Sequence, residues 1–223
     1  MDNREVKILG ISASPRREIS NTSILLKDAL SGAEQKGAKT EYIDLCSLKI
    51  EFCIACENCH KKIMACPIKD DALFLLNKIL ENDGIIFGSP VYLNHITGYL
   101  KTFLDRSSHF LHCHRLIGKY TAVVATSGGG PQYMVGDYIK EYSISCGAQY
   151  VGGVFTKIPI TEEIKKQANE LGKTIVDAIK EKKEFPEQIQ KINSHKEYFK
   201  KIIENRKDDW IEEYQYYKDN NWL

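Results

Sequence analysis

Long apolar runs are missing from this chain of 223 residues, and so is any excess of one charge. No stretch reaches the roughly 20 consecutive apolar residues that a bilayer-spanning helix needs, so the sequence points away from a membrane. Its 31 lysines and arginines are met by 30 aspartates and glutamates, a formal net charge of +1. With nothing basic concentrated enough to reverse that balance, nucleic acid is not an expected partner. The N-terminus, Met1 to Glu5, has neither the basic region nor the apolar region of a signal peptide, and a cytoplasmic location is expected. Internal repeats and low-complexity segments are absent as well. So are G-x-G-x-x-G and G-x-x-x-x-G-K-[ST], which argues against a dinucleotide fingerprint and a nucleoside-triphosphate loop. No triad pattern offers a nucleophile, and catalytic acid and base residues stay unassigned.

What the chain does have is cysteine in one place. Cys53, Cys56, Cys59 and Cys66 put four of the seven cysteines within fourteen positions. Disulfides are rare in a reducing compartment, so an iron-sulfur cluster, a zinc ion or redox-active thiols are the readings left open. Three thiols at every third residue can serve three irons from one curled loop, and the longer gap to Cys66 gives slack to close the same cluster. Zinc more often takes two separated C-x2-C knuckles, although Cys59-His60 leaves a mixed site open. The isolated Cys46, Cys113 and Cys146 read as small buried hydrophobes. His109, His112 and His114 read as helix-end or interface residues before a second metal site. His95 reads as a surface histidine at a helix start, close enough to the loop after strand three to touch a ligand there.

Around the cysteines the chain alternates strand and helix. Strands are expected at Val6 to Ile11, Lys39 to Leu45, Gly84 to Gly88, Tyr120 to Thr126 and Gln149 to Phe155. Between them run helical patterns, the first from Asn21 with Leu26, Ala29, Leu30 and Ala33 on one face and Gly37 placed to stop it. Asp70-Asp71 offers a cap for a helix carrying Leu73, Leu76 and Leu80. A further helix runs through Leu100, Phe103 and Leu104, another from Gln132 to Ser145, and another from Thr161 with Ile164, Ala168, Leu171, Ile175 and Ile179 in a stripe. Five β-α repeats with uniformly apolar strands predict a doubly wound, five-stranded parallel sheet with helices on both faces and ligand sites at the strands' carboxyl ends. Residues 1–183 form that domain, with the cysteine segment inserted at 51–69. From residue 184 a charged, aromatic helical tail carries Phe199, Ile202, Ile203, Trp210, Tyr214 and Tyr217. It is either an extra helix on its own domain or an oligomerisation arm.

Three turns fall at that carboxyl edge. The first, from Ser12 to Ser23, is crowded with hydroxyls and ends at a helix start, where free amides and the positive dipole end suit one phosphate better than a pyrophosphate. The residues there are also ordinary N-cap candidates. After strand three, Pro90, Val91, Tyr92, Leu93 and Asn94 lie where a planar ligand anchored by the first turn would extend. After strand four, Ser127, Gly128, Gly129 and Gly130 let backbone approach the same ligand.

These motifs, Gly10-Ile-Ser-Ala-Ser-Pro-Arg16 with Ser20-Asn-Thr22, the cysteine run with Asp70-Asp71, and Gly88-Ser-Pro-Val-Tyr92 followed by Lys101 and Asp105-Arg106, resemble the NADPH-dependent FMN reductase superfamily of flavodoxin-like fold. Within it the chain most resembles the iron-sulfur flavoproteins, over about residues 5 to 157. The resemblance implies noncovalent FMN, with phosphate on Ser12, Ser14, Arg16, Asn21, Thr22 and Ser23 and the ring against residues 90–94 and 127–130. It implies a homodimer or homotetramer, and electron transfer from ferredoxin or NAD(P)H to a small-molecule acceptor. The expected function is an FMN-dependent oxidoreductase in which a [4Fe-4S] cluster on Cys53, Cys56, Cys59 and Cys66 exchanges electrons with FMN. A cluster-free NAD(P)H-dependent FMN or quinone reductase is the alternative, and a zinc-stabilised, non-enzymatic binding module the second.

Overall fold

The computed structural model describes residues 4–223; Met1, Asp2 and Asn3 of the N-terminal stretch discussed above lie outside the described residues. The chain runs β1 (Lys7–Ser12), α1 (Asn21–Gln35), β2 (Lys39–Asp44), α2 (Asn58–Lys61), α3 (Ala72–Glu81), β3 (Gly84–Pro90) and α4 (Gly98–Asp105). It continues through α5 (Ser108–His112), β4 (Tyr120–Ser127), α6 (Gln132–Ser145), β5 (Gln149–Lys157), α7 (Glu162–Glu181), α8 (Pro186–Asn205) and α9 (Ile211–Asp219). All strand pairings are parallel, in the order β2-β1-β3-β4-β5. This is the expected doubly wound, flavodoxin-like sheet. Among the described residues no helix is long and apolar enough to cross a membrane.

The strands' apolar runs are explained by two-sided cover. Every residue of β4 is buried, and alternate β3 residues feed two separate cores. Ile85 and Phe87 join Leu75, Leu76 and Phe103 on one face, while Ile86 joins Leu25, Leu26, Ile175 and Val176 on the other. On that second face α1 and α7 pack backbone to backbone. A Cβ placed on Gly172 would collide with the carbonyl oxygen of Ala29, and one on Gly32 with that of Asn169.

Local signals set most boundaries. The Ser20 hydroxyl accepts the Ser23 amide to open α1, and Gly37, at φ +81°, closes it with its amide on the Glu34 carbonyl. Thr161 caps α7 in the same way, with Glu162 and Glu163 in its first turn. The expectation for α3 needs correcting in two respects. Its buried stripe is Ala72, Leu75, Leu76 and Ile79, with Leu73 and Leu80 only partly buried. Of the expected pair, Asp70 accepts the amide of Ala72 at the start of α3, whereas Asp71 makes no side-chain cap and its carboxylate accepts the Lys49 amide, tying the long cysteine segment back to the domain.

The tail is two helices, broken between Asn205 and Ile211, and α8 covers the free edge of β5. Gln188 accepts the Tyr150 amide at 2.7 Å and donates to the Tyr150 carbonyl at 2.9 Å, continuing the ladder with a side chain. Ile203, Trp210 and Tyr217 are buried against the chain's own residues, with Phe199, Ile202 and Tyr214 around them.

Overpacking at the α1–α7 crossing is the sharpest test of this architecture. Gly172→Ala is expected to destabilise the protein by about 1–3 kcal/mol, since the atom it meets is rigid backbone. Chemical denaturation against wild type measures this, and an unchanged midpoint would disprove the close approach.

Candidate functional site

The sheet order places a crevice where β1 and β3 lie side by side while their following connections leave in opposite directions. The turn after β1 fills one side of it. Ser12, Ser14, Ser20, Thr22 and Ser23 are all buried there. Ser23 is a hub: its hydroxyl lies 2.8 Å from that of Ser12, receives those of Ser20 and Tyr42, and donates to the Arg17 carbonyl at 2.7 Å. The hydroxyls of Thr22 and Thr126 meet at 2.6 Å, tying the turn to the end of β4. Ser12, Thr22 and Ser23 thus build the cradle, their hydroxyls already committed. Ser14, Arg16 and Asn21 carry no side-chain hydrogen bond among the described residues, and Arg16 is exposed. Together with the Asn21 and Thr22 amides at the start of α1, these groups are open to an anion.

The other side of the crevice is made by the loops after β3 and β4. Tyr92 and His95 pair through both backbone bonds around Leu93 and Asn94, which hold φ of +46° and +66°. A left-handed leucine is strained, and Leu93 is 100% exposed. The imidazole of His95 does not project freely; it sits edge-on to Tyr138 at 4.6 Å. Val91 donates its amide to the Thr126 carbonyl, and a Cβ on Gly130 would meet Val91 at 3.0 Å, so the two loops touch there. Gly128 and Gly129 face open space, and Ser127 folds back onto the Gly130 carbonyl. An apolar cleft of about 350 Å³ runs from Pro15 and Tyr92 to Phe52, the neighbour of Cys53.

The cysteine segment lies beyond that cleft. All seven cysteines are free, with Cys53 and Cys56 exposed and Cys59 and Cys66 half-buried. The four clustered cysteines line one cavity of about 320 Å³, together with Arg106, Ser108, His109 and His112. The backbone curls through left-handed residues at Ala55, Glu57 and Met64 (φ +52°, +58° and +60°). Each costs roughly 1–2 kcal/mol in a non-glycine residue, so the curl is held from outside.

Arg106 is one holder. Its buried guanidinium forks onto the buried Asp70 carboxylate at 2.5 and 3.1 Å, donates to the Glu51 carbonyl, and places a second N–H 3.1 Å from the Cys66 sulfur. Burial pushes the Asp70 carboxyl up, but Arg106 and the amides of Glu51 and Ala72 outweigh it and hold the group below the usual carboxylate range. The Ala55 amide also points at the Cys53 sulfur, at 3.5 Å. Hydrogen bonds of this kind to sulfur set the potential of a thiolate-bound cluster.

His109, His112 and His114 are not brought together, consistent with helix-end roles. His109 turns to the Met64 sulfur at 3.0 Å, and His114 packs against Phe199 and Trp222. His112 instead stacks on His60, with centroids 4.4 Å apart and planes 12° from parallel. Glu213, fully buried, takes His60 Nδ1 at 2.7 Å on one oxygen and His112 Nδ1 at 3.1 Å on the other. Among the described residues, these three are the one group of histidine, cysteine and acidic side chains close enough to share a single ion. Stacking argues against that use. An imidazole lone pair lies in its ring plane, and no ion can lie in two parallel planes at once. Burial opposes the charge on Glu213, but the hydrogen bonds from His112 and His60 overcome it and hold the carboxyl low. An ionised carboxylate only accepts, so both Nδ1 atoms carry the protons. In the sequence nothing marks His60, Glu213 and Trp210 as a group, since His60 lies 153 residues from Glu213, and Arg106 stands out only within a motif.

Cys113 and Cys146 are buried as expected, whereas Cys46 is half-buried; burial raises the thiols of Cys46 and Cys146 to about 12 and that of Cys113 well upward.

A sequence model described as NADPH-dependent FMN reductase matches residues 6–162. An iron-sulfur flavoprotein of Methanocaldococcus jannaschii is 39% identical over 130 residues, which are 57% of this chain and 66% of that one. One of Archaeoglobus fulgidus is 34% identical over 182 residues, 79% of this chain and 82% of its own. Among solved structures, a flavodoxin from the domain Archaea superposes with a TM-score of 0.56 at 16% identity, over 78% of this chain and 99% of that one.

Two predictions follow from the charges at this site. Arg106→Leu strands the Asp70 carboxylate and is expected to cost about 3–5 kcal/mol in denaturation, with Asp70→Asn in the same chain recovering part of it; an unchanged stability would refute the buried pair. The second concerns pH. Burial lowers His109 and His114 to about 4, and neither His109 Nδ1 nor His114 Nε2 has a partner among the described residues. Their folded pKa lies below the unfolded value, so the stability they contribute is present above about pH 6.5 and lost as pH falls toward 4. Between pH 7 and 5 the loss is roughly 2 kcal/mol per histidine. Denaturation at the two pH values checks it, and His114→Phe is expected to remove about half of the difference.

Proposed function

Since the chain belongs to the NADPH-dependent FMN reductase family and, within it, to the iron-sulfur flavoproteins, we propose that this flavin-dependent oxidoreductase couples FMN at the sheet edge to a [4Fe-4S] cluster on Cys53, Cys56, Cys59 and Cys66. The observation that carries the reading is the single cavity lined by four free cysteines, joined to the anion turn by the cleft between Pro15 and Phe52. When bound, FMN supplies two-electron chemistry that can be divided into single electrons, and the cluster supplies a one-electron port. The protein's own residues position these groups and set their potentials.

In this reading the Asn21 and Thr22 amides at the start of α1, with Ser14, Arg16 and the Asn21 side chain, hold the phosphate over a floor of Ser12, Thr22 and Ser23. Pro90, Val91, Tyr92, Leu93 and Asn94 flank one side of the ring, and Ser127 to Gly130 the other. The open space over Gly128 and Gly129 is the fit test for that side. For the cluster the fit rests on the donor set. A mononuclear zinc ion with Zn–S bonds of about 2.3 Å needs sulfurs about 3.8 Å apart. Among the described residues the cysteines form no group that tight, whereas a cubane takes each sulfur at a different corner.

NAD(P)H or ferredoxin as donor and a small molecule as acceptor belong to the same proposal, as does a homodimer or homotetramer. Phe52, Ile54, Leu93, Tyr99 and Tyr133 are exposed, apolar surface of the kind a second subunit would cover.

Anaerobic purification with a visible spectrum and iron and sulfide assays tests the proposal. It predicts iron-sulfur absorption beneath the flavin bands and about four irons per chain. Cys56→Ala is expected to remove the iron and keep the flavin. Asn21→Ala is expected to weaken FMN roughly ten- to hundredfold while sparing the iron, the loss of a hydrogen bond to a charged group. Flavin bands without iron would leave the cluster-free reductase.

A further inference from the structure

The holder of the left-handed curl between Cys56 and Cys66 is found in the tail. Four anchors from α9 and the turn that precedes it reach residues 57–63. Arg206 pairs with Glu57 at 2.6 Å, and the Trp210 indole N–H donates to the same carboxylate oxygen at 3.2 Å. Glu212 accepts the Ile63 amide at 2.7 Å. Glu213 accepts His60 Nδ1, whose ring lies beneath Trp210 at 4.7 Å and presents Nε2 to the Cys59 sulfur at 4.0 Å. The far side of the clasp is fixed too, since Tyr217 donates its hydroxyl to the His112 carbonyl at 2.8 Å and Glu213 holds His112 itself.

Nothing local can replace these contacts. Glu57 is left-handed and stands as the N-cap of the four-residue α2 with no side-chain cap bond of its own, because its carboxylate is turned to Arg206 and Trp210. The Ile63 amide lies just beyond that helix. With the tail removed, an ionised carboxylate, a buried imidazole and a backbone amide would all lose their partners within seven residues, in a segment that already carries three strained positions. Trp210 also lines the cysteine cavity directly.

We propose that the C-terminal tail is an intramolecular clasp that forms one wall of the cysteine site, with Glu213 as the positioning residue that fixes α2 and thereby Cys59. Resting on the cluster reading above, it adds a requirement: the last forty residues are needed to keep the metal and not to keep the flavin. Glu213 touches none of the four clustered cysteines, its cysteine neighbour being the buried Cys113, and it acts on Cys59 through His60.

The test uses full-length protein purified anaerobically, as wild type, Glu213→Ala, and a second variant, Arg206→Met, at the other anchor. Iron release to a ferrous chelator is expected to be at least tenfold faster in Glu213→Ala, with FMN stoichiometry and the flavin spectrum unchanged, and intermediate in Arg206→Met. A second readout needs no iron. Trypsin is expected to cut the chelated protein after the exposed Lys61 or Lys62 several-fold faster in both variants. Wild-type release and cleavage rates in Glu213→Ala would overturn the proposal, as would loss of FMN together with iron, the mark of a general folding defect. Should wild type hold no iron at all, the cluster reading fails, and the cleavage rates alone still decide the clasp.

Discussion

The buried pairing of Arg106 with Asp70 joins the two halves of this molecule. Arg106 closes α4, the helix that follows the loop after β3, and Asp70 follows the cysteine segment, so one bidentate contact ties an insertion of nearly twenty residues to that helix. Two charges withdrawn from water are costly unless each finds several partners, and here both do. Asp70 also accepts the amides of Glu51 and Ala72, and Arg106 also reaches the Glu51 carbonyl and the Cys66 sulfur. The same guanidinium that anchors the loop therefore places a fixed positive charge beside a cysteine sulfur.

The sheet contributes the other half by topology alone. Parallel strands aim their carboxyl ends one way, and the reversal between β1 and β3 opens the crevice into which three turns project. Each turn is then specialised by local chemistry: a helix start with open amides, a tight left-handed pair at Leu93 and Asn94, and a glycine run with free space over it. The interior hydroxyl web of Ser12, Ser20, Ser23 and Tyr42 explains why a turn so rich in polar side chains is rigid. Its hydroxyls bond to each other before any ligand arrives.

The tail changes what the cysteine segment is. Taken by itself the segment is short of apolar contacts and carries three strained residues, a poor candidate for independent order. The tail meets it with Trp210 and the buried Glu213, which hold the segment's His60 and the His112 stacked on it, and α8 leaves the edge of β5 covered as well. An apolar stripe legible as a partner-seeking surface is thus occupied within the same chain.

Periodicity, caps and turn residues act over a few positions, and these the sequence by itself determined: five β-α repeats, the opening of α1 at Ser20 and of α7 at Thr161, and the grouping of four cysteines. The same local reach explains what was misread. Asp70-Asp71 before a helical stripe has the local form of a cap, and Asp70 does accept the first amide of α3, but Asp71 turned to an amide of the returning loop and Asp70 also to a guanidinium 36 residues away. His60 and Glu213 are 153 residues apart and nothing in either neighbourhood names the other. Packing alone brought them together, because a buried carboxylate must be paired and the folded chain offers two imidazoles there. The sequence, then, decided which elements exist and where the reactive side chains lie along them. Only the tertiary structure decided which charges are buried as partners, and so which face of the tail closes the cysteine site.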